Sequence, residues 1–404
     1  MQKDRMSMMK PMQPMRRICV ALAALAMAGA PHAFANPSIA VDVASGRVIS
    51  HEDAFQRWYP ASLTKLMTAY LVFTAVRAGQ MSLETPVPMS VHAAGEPPSK
   101  MYFRPGERFT VDSGLKYLLV KSANDVAMAL AEAVSGSEEA FVREMNATAL
   151  RLGMTSTRFV NPNGLPGSGQ YSTVRDMALL AVALRREFPD YARYFGFEGF
   201  ANGTSTHTNI NLLIGRFPGA DGMKTGFICA SGFNQVSSAT RDGRTVVSVV
   251  FGAPSQHARA EQSAELLHAA LTAPGSGSLT LANLAPYGAS RDEVADISGE
   301  ICTKTAHAER SDKRDAEGNI ILTSPYLVTM DREPRLVQAP SIPAAPVAEI
   351  ALSRIPLPVA RPRSRLDGET GTSAASAFIA PPASAAEVKP LRSYIPIPIP
   401  RPEI

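Results

Sequence analysis

At 404 residues, 45% of them hydrophobic, the chain can bury a sizeable core, which excludes a wholly disordered protein. Lys plus Arg number 40 against 36 Asp plus Glu, and the small excess gathers into no basic stripe, so no nucleic-acid partner is expected. His51, His92, His207, His257, His268 and His307 are scattered without metal-ligand spacing, so neither a metal nor another cofactor is expected.

The chain opens with a polar stretch and then Met15-Arg16-Arg17, an apolar run from Ile18 to Ala30, and Ala33-Phe34-Ala35. A charged start, a short apolar centre and an A-x-A site read as a secretory signal peptide over residues 1–35, with Met1 and Met15 as alternative starts. The run is too short for a membrane anchor, no later segment is long and apolar enough to span, and export to the periplasm is expected. Of the cysteines, Cys229 and Cys302 lie beyond the cleavage site. An oxidising compartment permits them to pair, free buried thiols are the other reading, and spacing does not decide between them.

Ile39 to Val43 and Arg47 to Ile49 flank Ser45-Gly46, a hairpin signal. Pro60-Ala61-Ser62 then opens a helical pattern in which Leu63, Leu66, Met67, Tyr70 and Leu71 recur at helical spacing. From Ser62 to Phe188 the chain is expected to be mainly helical, broken by the Pro/Gly/Asn-rich loop from Asn161 to Gln170. Strands return at Lys224, then at Phe233 to Ala239 and Thr245 to Phe251 about a turn at Asp242-Gly243, and a last helix runs from about Ser255 to Leu271. Strands at both ends with helices between predict an α/β (α+β) fold, one antiparallel sheet packed by helices. Residues 36–273 form the expected catalytic domain. Gly275 to Ser278 is a linker signal, residues 274–333 are expected to be a poorly defined linker, and residues 334–404 a disordered tail. That tail holds 14 prolines in 71 residues and cannot sustain a helix or a ladder.

Three short motifs stand in order on this frame: Ser62-Leu63-Thr64-Lys65, Ser122-Ala123-Asn124 and Lys224-Thr225-Gly226. Together they supply an acyl-transfer machine, with a serine nucleophile, a lysine base, a proton relay and a docking strand. Ser62 and Lys65 are three apart and share a helix face, and the positive end of the helix favours a developing oxyanion. Lys65 is a base only when neutral, and burial beside Lys224 would lower its pKa towards that state. Ser113-Gly114-Leu115-Lys116 repeats the first motif alone, and Ser113 reads as a helix cap.

On these residues the chain resembles the serine D-alanyl-D-alanine carboxypeptidases, the low-molecular-mass penicillin-binding proteins. The likeness extends over Tyr59 to Thr68, Ser122 to Asp125, Gly164-Leu165-Pro166, Gln170-Tyr171-Ser172, Arg175 to Ala178 and Asp221 to Phe227, and covers about residues 37–271. It implies a β-lactamase-like five-stranded sheet with a mainly helical subdomain. It also implies that Ser62 attacks the terminal D-Ala-D-Ala bond of a peptidoglycan pentapeptide, that Lys65 takes its proton and that Ser122 passes it to the leaving D-alanine. Asn124 would hold the substrate amide, Lys224, Thr225 and Gly226 the polar end, and the backbone of Ser62 and Phe227 the oxyanion, with β-lactams as inhibitors. Arg259 matches the family arginine at the terminal carboxylate, where a planar fork suits the task; an exposed helix arginine is the alternative. Ile210 and Phe227 depart from the polar residues common at their positions and make the rim apolar. A D,D-endopeptidase would share this machinery. A β-lactamase would need an acid in the loop from Phe159 to Ser172, which has none, and a non-catalytic wall-binding protein would not need every motif filled.

Overall fold

The computed structural model describes residues 36–342, apart from 204, 312–313 and 316–319. The expected signal peptide of residues 1–35 and the tail beyond 342 lie outside the described residues.

The first strand, β1 (Ser38–Asp42), turns back into β2 (Val48–Glu52). The Asp42 carboxylate accepts from the Ser45 N–H at 2.9 Å, and Gly46 takes φ +73°, so this tight reversal needs its glycine. After the helical region come β3 (Ala220–Ile228), β4 (Gly232–Arg241) and β5 (Arg244–Ala253). Asp242 and Gly243 join the last two with φ values of +49° and +75°, the left-handed pair of a two-residue hairpin. The five strands form one antiparallel sheet in the order β2-β1-β5-β4-β3, with Ile39 opposite Val249 and Lys224 opposite Val236. The two strands that precede Ser62 therefore share a sheet with the three that follow the helical region, and β3 stands at an edge.

Helices cover both faces. α1 (Lys65–Arg77), α2 (Val111–Lys116), α3 (Asn124–Ser135), α4 (Glu138–Arg151) and α5 (Val174–Glu187) build the helical region. In α3 every residue from Asn124 to Ala131 is buried, so it runs through the middle of the main core. On the other face α6 (Gln256–Thr272), capped by Ser255, lays Ala260, Ala264, Leu267 and Ala270 against Ala40, Ala239 and Val246. Small residues on both sides let helix and sheet approach closely.

Two expectations about the C-terminal third change. Residues 274–333 are not a loose linker where described: Leu281, Leu284, Ile297 and Ile301 bury into the main core, and Arg47 holds the carbonyls of Pro274 and Ser276. Val294–Ala295 pairs in parallel with Arg57–Trp58, and Cys229 is bonded to Cys302. Nor does disorder begin at residue 334. Leu336–Gln338 pairs in parallel with Gly199–Ala201, and Ser341–Ile342 pairs antiparallel to Arg108–Phe109. Both prolines of this piece, Pro334 and Pro340, fall outside the paired residues, which is how a proline-bearing segment joins a ladder.

Candidate active site

Ser62 lies in a short 3-10 turn, Ala61–Thr64, and the α-helix proper begins only at Lys65. Ser62 thus lies three residues before the α-helix begins rather than inside its first turn. Ala61 takes φ +49°, and Ser122 takes φ +66° after a widened turn over Tyr117–Lys121. Left-handed backbone at non-glycine residues is held by its surroundings, and these two of the five such residues described sit at the site.

Lys65 is fully buried, and its amine makes three contacts: the Ser62 hydroxyl at 3.1 Å, Asn124 Oδ1 at 2.7 Å and the Asn163 carbonyl at 2.5 Å. Asn124 Nδ2 donates to the Pro97 carbonyl at 2.9 Å, which fixes the amide with its oxygen towards the lysine. Burial holds Lys65 well below the usual lysine range, and the Lys224 cation pushes the same way. A neutral amine has two N–H groups and one lone pair. Asn124 Oδ1 and the Asn163 carbonyl can only accept, so they take both N–H groups and leave the lone pair facing the Ser62 hydroxyl. The arrangement can withdraw the Ser62 proton.

Lys224 is buried and donates to the Thr225 carbonyl at 2.9 Å; burial first, and then Arg259, hold its pKa down to about 7. Arg259 is 1% exposed, which overturns the exposed-helix alternative, and burial brings it down to about 9. Its Nε and Nη2 find no hydrogen-bond partner among the described residues, and it lines the cleft. A buried guanidinium in that condition fits an incoming anion.

The cleft, about 240 Å³, is lined by Ser62, Ser122, Asn124, Thr225, Gly226, Phe227 and Arg259 together. A Cβ on Gly226 would stand 3.0 Å from the Ser62 backbone nitrogen and 3.1 Å from the Pro60 carbonyl, so glycine here lets the edge strand close on the nucleophile. Phe227 and Ile210 are 42% and 39% exposed and form an apolar rim, Phe227 lying 4.3 Å from the Phe233 ring.

Several residues have structural roles that the sequence reading did not assign. Asn163 acts through its carbonyl, which no side-chain pattern reports, and its side chain donates to Glu96 at 2.9 Å. Asp125 accepts from the Met101 and Tyr102 N–H groups and so ties the Pro98-Ser99 wall to α3. Gly164 lies at φ +83°, where a Cβ would collide with the Ala61 carbonyl at 1.9 Å; its place in the predicted loop was the available signal. Ser113 does not cap α2. Thr110 does, accepting from the Ser113 N–H, and the Ser113 hydroxyl donates to Pro340.

A family model described as D-alanyl-D-alanine carboxypeptidase matches residues 24–255. The chain is 38% identical over 245 residues to the D-alanyl-D-alanine carboxypeptidase DacC of Escherichia coli (strain K12), across 59% of this chain and 61% of that one. It is 34% identical over 238 residues to DacF of Bacillus subtilis (strain 168), across 58% and 61%. The chain thus matches less than two thirds of the length of either relative. Among solved structures, the D-alanyl-D-alanine carboxypeptidase DacD from Francisella tularensis superimposes with a TM-score of 0.57 at 33% identity, over 62% of this chain and 75% of that one. Penicillin-binding protein D2 from Listeria monocytogenes in its ampicillin-bound form gives 0.52 at 28% identity, over 60% and 100%.

Proposed function

The chain belongs to the D-alanyl-D-alanine carboxypeptidase family, and from that premise we propose that it removes the terminal D-alanine from peptidoglycan pentapeptides through an acyl-enzyme on Ser62. The observation that carries this reading is the buried Lys65 amine 3.1 Å from the Ser62 hydroxyl, its other two contacts, Asn124 Oδ1 and the Asn163 carbonyl, being groups that can only accept, so that the neutral amine turns its lone pair to Ser62. In the proposed reaction Ser62 gives its proton to Lys65, and Oγ bonds to the penultimate D-alanine carbonyl carbon. The oxyanion meets the backbone N–H groups of Ser62 and Phe227. Collapse breaks the peptide bond, Ser122 relays the proton to the departing amine, and water then cleaves the Ser62 ester. Thr225 and Arg259 take the free carboxylate of the leaving residue, Asn124 the substrate amide.

A β-lactam carries an amide carbonyl and a carboxylate, so it is expected to acylate the same serine. The absence of acidic residues between Phe159 and Ser172 supports slow release of that adduct, which is inhibition rather than β-lactamase turnover. The signal pattern of residues 15–35 supports export to the periplasm, where this substrate lies. Labelling the purified protein with a tagged penicillin and mapping the adduct tests the reading, together with D-alanine release from a soluble pentapeptide. The adduct is expected on Ser62 and is lost in Ser62→Ala; an adduct elsewhere, or no D-alanine release, overturns the assignment.

A further inference from the structure

The second S-x-x-K string has no place in the chemistry above, yet its side chains are committed. Three consecutive carbonyls of the C-terminal segment meet three side-chain donors around it. Lys116 Nζ donates to Gln338 at 2.7 Å, the Tyr117 hydroxyl to Ala339, and the Ser113 hydroxyl to Pro340 at 2.9 Å. On its other side the segment pairs with Gly199–Ala201, and the Ala339 N–H donates to the Ala201 carbonyl at 2.8 Å. Ala339 has no exposed surface, and a Cβ on Gly199 would stand 2.6 Å from Leu336, so the seat is shaped for this occupant.

Tyr117 links the seat to the site. Its carbonyl accepts the N–H groups of both Ser122 and Ala123, closing the widened turn that leaves Ser122 left-handed. Its ring lies 5.1 Å from Phe200, on the hairpin that leads to Ile210 at the opposite rim. One buried residue thus holds the relay serine's backbone through its own carbonyl and the C-terminal segment through its hydroxyl. A widened helical turn and a left-handed serine persist only where neighbours over-determine them, and a buried hydroxyl deprived of its acceptor is unstable.

We propose that residues 335–342 are a positioning strap that fixes Ser122 for proton relay, with Ser113, Lys116 and Tyr117 as its receptors. The proposal rests on the reading of Ser62 and Ser122 given above. The strap touches no substrate. It acts through Tyr117, so its loss should alter the acylation step rather than the binding of ligand.

The test uses the full chain carrying Ala339→Arg, which the enclosed seat cannot accept, Ala339→Gly, which it can, and Tyr117→Phe, which removes only the donor. Amide exchange is read at Leu336–Gln338 and at Ser122 and Ala123, and acylation by a tagged penicillin is split into its binding constant and its first-order rate. In Ala339→Arg, exchange at both places should quicken at least tenfold. The acylation rate should fall about tenfold with binding changed less than about twofold, and Tyr117→Phe should fall in the same sense. Ala339→Gly should match the parent. The proposal is overturned if the strap stays protected in Ala339→Arg, if it is released without slowing acylation, or if binding and rate decline together. A parent that no penicillin acylates would instead refute the functional reading, while the linked exchange of strap and Ser122 would still decide the proposal.

Discussion

Replacing Arg259 by methionine should weaken function and strengthen the fold at once. A guanidinium brought down to about 9 from its ordinary 12.5 carries an uncompensated burial cost of about 5 kcal/mol, at about 1.36 kcal/mol per pH unit. Methionine fills much of the same volume without charge, and recovering about 2 kcal/mol of that cost should raise Tm by roughly 4–8 °C. The same charge is the proposed anchor for the substrate carboxylate. Losing a buried charged anchor costs about 2–5 kcal/mol, so kcat/KM for the free-acid peptide should fall by roughly thirty-fold to a few thousand-fold. The C-terminal amide of the same peptide has no carboxylate to lose and should fall by less than about fivefold. Calorimetry on the variant and parallel assays of acid and amide measure both halves. A lowered Tm would mean that Arg259 is compensated in a way the site geometry does not contain. Equal losses for acid and amide would move carboxylate recognition elsewhere.

Lys65→Arg keeps the charge but cannot supply a lone pair, so acylation by penicillin should drop at least about a hundred-fold, and a near-normal rate at neutral pH would refute the base assignment. Lys224→Met tests the buried cation by linkage. Below about pH 7 the folded and unfolded chains both hold the Lys224 proton and the full burial cost is present; as pH rises from about 7 to 10.5 the folded chain has lost that proton and the cost fades. The variant should therefore exceed the parent in urea midpoint near neutral pH and converge on it towards about pH 10, and a pH-independent difference would sink the argument. Gly226→Ala should press a methyl against the Ser62 nitrogen and the Pro60 carbonyl, moving the edge strand by a few tenths of an ångström and slowing acylation by roughly ten- to a thousand-fold. An unchanged rate would show that the strand does not need that close approach.

The proposed chemistry could be read in the sequence because it resides in side chains that recur in a fixed order. Ser62 with Lys65, Ser122 with Asn124, and Lys224 with Thr225 and Gly226 offer a candidate nucleophile, base and docking strand. The paired hydrophobic strands at the two ends of the domain announce the sheet that joins them. Local chain signals also carried the hairpin glycine and the capped last helix. What acts through backbone or through neighbours distant in sequence had no such signature. The Asn163 carbonyl that turns the Lys65 lone pair towards Ser62 is a group every residue possesses. The burial that drives Lys65, Lys224 and Arg259 down in pKa depends on what packs around them, and the two readings of Arg259 were separated only by its enclosure. Proline content pointed to disorder from residue 334, but eight residues, 335–342, have a seat because Ser113, Lys116 and Tyr117 happen to face three carbonyls more than two hundred positions away. Composition and periodicity report a segment's own preferences, so the sequence determined which groups can react. Folding decided which of them are dry, which are paired and which bonds hold them in line, because desolvation and hydrogen-bond partnership are properties of the packed neighbourhood rather than of the residue.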